Sequence, residues 1–336
     1  MKLLSFIILF IFLLSCGPED SGTGSGNSYG FPPDFPLVMD TGGQGAGSYL
    51  YGKGGNTSLD KTGNRAEIQS SSKRVVILIH GNAGTHKYWT NNGIAYGRPY
   101  ISFRNLLLNN GYSEALIWAV SYQGQGGTFD TQPIRKNIDD IRNFIDAVIE
   151  YTGVSQVDII ALSLGCSLAR GYVLGFQSNG SFNISLRRLT KVGSMILMSG
   201  CNYGLGKNLA DPDWNSNSPL YDLSSTNNFV RYDGSTNLTP GSIHYYCIYA
   251  AYDFPQYDYN LYGGGHALNP VNVSRLGSAQ YFEIPDSFSG TFTYRAYDAS
   301  DSDPLNNDST YLYTNHIFQG WDTSVFTGYV LPNLNK

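Results

Sequence analysis

Short apolar runs recur along the chain between positions 75 and 249, separated by segments with helical spacing. Val75-Val76-Ile77-Leu78-Ile79 is the first; Glu114 to Val120, Val157 to Leu162, Ser194 to Met198 and Ile243 to Tyr249 follow. Runs of this length and β-branched content, without polar alternation, read as strands covered on both faces. Pro133 opens a stretch in which Ile134, Ile138, Ile141, Phe144, Ile145, Val148 and Ile149 form a helical stripe, closed by Gly153. Ser102 to Leu108 and Leu164 to Phe176 give shorter helices. Strands alternating with helices in this way specify an α/β architecture, a mostly parallel sheet with helices on both faces.

Composition fits such a body. Hydrophobic residues make up 41% and charged residues only 14%, which excludes a coiled coil and a charge-driven disordered chain. With 21 Lys plus Arg against 26 Asp plus Glu, a basic nucleic-acid binder is excluded too. Phe31 to Ser72 is Gly-rich and faintly periodic, and predicts a loop-dominated approach to the core. Asn202 to Ser242, Phe254 to Asn272 and Asp286 to Asn315 break the alternation with long, polar, aromatic loops, which in a compact domain usually serve function. The first of these is an insertion leaving the carboxyl end of a strand, and its Trp214 and Phe229 are candidates for contact with an apolar substrate.

The N-terminus predicts export. Lys2 precedes an apolar run from Leu3 to Leu14, shorter than the roughly 20 residues needed to span a bilayer. Leu13-Leu14-Ser15 then lead into Cys16 in a pattern that resembles a bacterial lipobox. The expected organisation is a signal peptide over 1–15, a lipid-anchored Gly/Ser tether over 16–30, and one domain over 31–336 containing the 202–242 insertion. Lipidation of Cys16 would hold the protein on a bacterial membrane, at the periplasmic face or cell surface. Cys166, Cys201 and Cys247 are odd in number and lack CxxC spacing, so no bridge and no metal site is assigned. Asp211, Asp213, Asn215, Asn217 and Asp222 are spaced like a calcium loop, but Pro212 and Ser216 fit that loop poorly, so they read as turn residues.

The chemistry concentrates at Ala161-Leu162-Ser163-Leu164-Gly165. A Ser between small residues two positions away on either side, after a buried strand and before a helix, forms a nucleophile elbow. Such a Ser needs two backbone donors for the developing oxyanion. Leu164 supplies the first, and Asn82 in the His80-Gly81-Asn82-Ala83-Gly84 loop the second. His80 is expected to hold that loop rather than act as a base. An acid then a His should follow in chain order. Asp253, at the end of the strand Ile243 to Tyr249, is preferred over Asp258. His316, ahead of a helix capped by Asp322 and Thr323, is preferred over His266.

These segments resemble the bacterial class 2 lipases of the α/β-hydrolase fold. The similarity is greatest at Val76 to Gly84, Tyr151 to Ser167, Ile243 to Asp253 and His316 to Leu331. The His80-Gly81-Asn82 loop is also similar to that of an extracellular polyhydroxybutyrate depolymerase of this group. The resemblance implies a Ser163, Asp253 and His316 triad, Asn82 and Leu164 as oxyanion donors, and no cofactor. It implies a lipase or esterase acting on an ester or lipid, with a polyester depolymerase as the alternative. A binding protein that kept the fold without turnover is a second alternative.

Overall fold

In the computed structural model the described residues are 30–36, 51–82, 84–95, 97–122, 134–200, 202, 238–251, 253, 278–285, 287–294 and 315–336. Over these, seven strands form one sheet: β1 (Tyr51–Gly54), β2 (Val75–Ile79), β5 (Ile117–Ser121), β6 (Val157–Leu162), β7 (Val192–Met198), β8 (His244–Ala250) and β9 (Gln280–Ile284). Their spatial order is β1-β5-β2-β6-β7-β8-β9, with only the β1–β5 pair antiparallel. A separate hairpin pairs β3 (Gly93–Ala95) with β4 (Arg98–Tyr100). Every residue of β2, β5, β6 and β7 is buried, as their predominantly apolar runs imply. This is the mostly parallel sheet of the α/β-hydrolase fold.

Helices α1 (Lys61–Gln69), α2 (Lys87–Thr90), α3 (Phe103–Asn109), α4 (Ile134–Thr152) and α5 (Leu164–Leu174) connect and cover the strands. The α4 stripe from Ile134 to Ile149 is buried throughout. Ser102 caps α3 by accepting from the Asn105 N–H, one of the amides that the first turn leaves without a partner. Near the C-terminus Asp322 caps Thr323–Val325, which continues as a wide π turn over Phe326–Val330 and a 3-10 turn over Leu331–Asn333.

Several expectations need correction. Within Phe31 to Ser72, read as loop-dominated, the described residues also hold β1 and α1, besides a segment whose Phe31 and Phe35 are buried against Trp118 and Phe144. β1 has two glycines in four residues, and α1 buries only Asn64 and Ile68, so neither carries a periodic apolar signal. Glu114 to Leu116 is a 3-10 turn rather than the start of β5. α5 stops at Leu174, two residues early, because Gly175 takes the left-handed conformation at φ 76°. Edge strand β9, the hairpin and α2 carried no signal strong enough to be expected.

Parallel strands place all their carboxyl ends along one edge. The residues that follow β2, β5, β6, β7 and β8 therefore gather there, while the amino edge is closed differently. Buried Asp158, at the start of β6, accepts from Arg74 Nε, the Ser194 N–H and the Asn335 N–H. That carboxylate ties the chain's last residues to the amino edge.

Candidate active site

Ser163 sits between β6 and α5 with φ 53° and ψ −122°, a conformation that costs a non-glycine residue roughly 1–3 kcal/mol. The turn is held by the Ser163 N–H donating to the Met198 carbonyl and by extreme crowding at Gly165. A Cβ there would lie 2.5 Å from the His80 carbonyl oxygen, so only glycine lets the helix start against the β2 loop. Ser163 itself stays partly exposed while α5 is buried along its length. As the first residue of α5, Leu164 has an N–H with no acceptor inside the helix.

The β2 loop is fixed through its carbonyls. His80 is wholly buried, and its ring stacks on Tyr122 at 4.0 Å with an interplanar angle of 2°. Its Nδ1 lies 2.7 Å from the Gly81 carbonyl, so Nδ1 carries the proton and donates. The Tyr122 hydroxyl lies 2.8 Å from the His80 carbonyl and 3.1 Å from that of Gly81, which also accepts from the Gly84 N–H. A planar trans peptide directs its N–H away from its C=O. With the Gly81 oxygen held on the His80–Tyr122 side, the Asn82 N–H points the other way. Burial lowers the His80 pKa from 6.5 to about 3, so this imidazole stays neutral and serves as a strut, as expected from sequence.

Asp253 and His316 meet. His316 Nδ1 lies 2.7 Å from Asp253 Oδ1, with the carboxylate wholly buried and the imidazole nearly so. Asp253 follows β8, while His316 lies in a helical turn over 315–318 rather than in a loop. The other carboxylate oxygen, Oδ2, accepts the Ser199 hydroxyl. Ser199 follows β7 and is a second serine with positive φ, 51°. Gln319 Nε2 donates to Ser199 Oγ at 2.5 Å and lies 3.5 Å from Asp253 Oδ2. Neither Ser199 nor Gln319 was expected. Both are polar residues buried by contacts distant in sequence, and the only local trace is Gln319 falling one helical turn after His316.

Ser163 and Asp253 leave strands β6 and β8, which flank β7. Two strand spacings separate them by roughly 10 Å, a gap that an imidazole bound to the carboxylate is suited to bridge. Cys166 and Cys247 are free and buried, and burial pushes the Cys247 thiol up to about 12, so it is an inert core residue. Asp258, His266, Trp214, Phe229, Cys16, Cys201 and the Asp211 to Asp222 segment lie outside the described residues. Among the described residues no helix is long and apolar enough to cross a membrane.

Residues 73–218 match the class 2 lipase family. The matched stretch is similar to class 2 lipase sequence. It runs from β2 through the nucleophile elbow and into the insertion, and stops short of Asp253 and His316. Among solved structures, Aspergillus fumigatus lipase B is similar at 14% identity and a TM-score of 0.44, over 80% of this chain and 54% of that one. This chain thus spans about half the length of that lipase. Bacillus licheniformis lipase BlEst2 in its mature form is similar at 15% identity and TM-score 0.43, over 64% of this chain and 84% of that one. Thermogutta terrifontis esterase 2 is similar at 12% identity and TM-score 0.40, over 76% and 84%.

Proposed function

We propose that this class 2 lipase-like chain is a serine carboxylic-ester hydrolase, exported and held on a bacterial membrane by a lipid on Cys16. One observation carries the chemistry. The buried Asp253–His316 pair stands at the same sheet edge as the strained, partly exposed Ser163.

His316 Nδ1 donates to Asp253, which leaves Nε2 as the basic nitrogen. Nε2 takes the Ser163 proton as Ser163 Oγ attacks the ester carbonyl. Asp253 stabilises the resulting imidazolium without itself taking the proton. The Leu164 and Asn82 N–H groups receive the oxyanion, and one such donor typically contributes about 3–4 kcal/mol in serine hydrolases. The imidazolium then protonates the departing alcohol, and water deacylates Ser163 by the same route. No step calls on a cofactor.

Hydrolysis of p-nitrophenyl butyrate tests the assignment. Ser163→Ala and His316→Ala should each lower kcat by about 10⁴ to 10⁶ while circular dichroism stays unchanged. An inactive His266→Ala beside an active His316→Ala would move the base to His266.

A further inference from the structure

We propose that Ser199 and Gln319 are positioning residues that hold the Asp253 carboxylate in the rotamer that orients His316. This rests on the triad reading above and assigns roles to two residues outside it.

A carboxylate with one oxygen on the imidazole has its second oxygen free to swing unless something fixes it. Here Oδ2 accepts the Ser199 hydroxyl, and Ser199 Oγ in turn accepts from Gln319 Nε2. The proton order follows from chemistry alone. A carboxylate only accepts, so Ser199 must give its single proton to Asp253. Its oxygen then requires a donor, which orients the Gln319 amide with Nε2 inward. That amide is further steadied by the Asn315 carbonyl at 3.3 Å.

All three side chains are wholly buried. An anionic carboxylate out of water needs such donors, and one left loose would misplace the imidazole. The arrangement also has an economy of parts. A single stretch of chain delivers His316 to one oxygen of Asp253 and, three residues later, directs Gln319 toward the other. Ser199 reaches in from the end of β7 at φ 51°, and a strained backbone held in a packed core requires compensation from its surroundings.

Three variants test the proposal on p-nitrophenyl butyrate. Gln319→Met keeps the length of the side chain without its donor. Ser199→Gly removes the hydroxyl while relieving the left-handed backbone, which offsets part of the cost of the lost hydrogen bond, and circular dichroism checks that it folds. Each should lower kcat by about 10- to 100-fold with KM unchanged. In an Asp253→Asn background Gln319→Met should cost little more, because its effect runs through the carboxylate. A merely structural role would subtract the same factor in both backgrounds. Wild-type kcat in both Gln319→Met and Ser199→Gly, or full additivity with Asp253→Asn, would overturn the proposal. Retained activity in Asp253→Asn and Ser163→Ala would instead overturn the triad reading.

Discussion

His80 shows how one buried side chain can matter to both chemistry and acid stability. Its ring cannot take a proton in the folded state until the pH falls to about 3, whereas in the unfolded chain it does so near 6.5. The unfolded state therefore binds the extra proton as pH drops, and this contribution to stability, complete above about 6.5, is lost progressively toward 3. Between pH 7 and pH 5 the loss is about 2 kcal/mol. Urea unfolding of wild type and His80→Phe at both pH values measures it. The variant's stability should fall less by about that amount, even if it starts lower. Equal falls in the two proteins would mean that His80 is protonated in the fold. The strut role was readable from His80 preceding the nucleophile on another strand. The identity of its clamp was not, because Tyr122 is 42 positions away and meets it only after β2 and β5 pair.

Elements were legible in proportion to how much apolar surface each buries on its own. β2, β6 and β7 are buried residue by residue, and α4 has a long inward stripe, so each announces its type. β9, with the sequence Gln280-Tyr281-Phe282-Glu283-Ile284, buries only Ile284 completely and is formed because β8 offers an unpaired edge. The C-terminal helical segment was legible through its cap. Asp322 Oδ1 accepts the Ser324 and Val325 N–H groups, and Oδ2 accepts that of Phe292, which fastens a distant loop to the helix start. Burial raises the Asp322 pKa against these stabilising bonds. Removing the carboxylate strands three amides, so Asp322→Ala should cost about 2 kcal/mol or more. A lower urea midpoint at unchanged slope would register it, with Asp322→Asn losing less because it keeps an acceptor for the cap. An unshifted midpoint in Asp322→Ala would show that the cap contributes nothing.

For the whole molecule, the fold class and the sheet edge that carries Ser163, Asp253 and His316 were visible in the sequence, whereas the way the body is sealed was not. Phe31 and Phe35 pack their aromatic rings on Trp118, Phe144 and Tyr151. If residues 16–30 merely separate a lipid from this body, Cys16→Ala should release the protein from the membrane fraction with unchanged kcat on a soluble ester. A Cys16→Ala protein that remains in the membrane pellet would remove the lipoprotein reading. The insertion's aromatics are tested at the same scale. Trp214→Ser with Phe229→Ser should impair hydrolysis of emulsified triacylglycerol or a polyester film far more than of p-nitrophenyl butyrate. Equal losses on both substrate types would assign those residues to packing alone.

The attachment of residues 30–36 also sets how the body would bear load. The Gly54 N–H donates to the Gly30 carbonyl, and Asp34 accepts from the Lys61 N–H and the Tyr151 hydroxyl. Among the described residues, a pull on the chain ahead of Gly30 meets this aromatic latch first and the antiparallel β1–β5 pair after it. Ser163, Asp253 and His316 hang on β6, β8 and the C-terminal helical turn, several strands from where the force enters. Tension on a tether would thus be spent in peeling an edge strand, and the edge that carries these three residues would be among the last parts of the sheet to feel it.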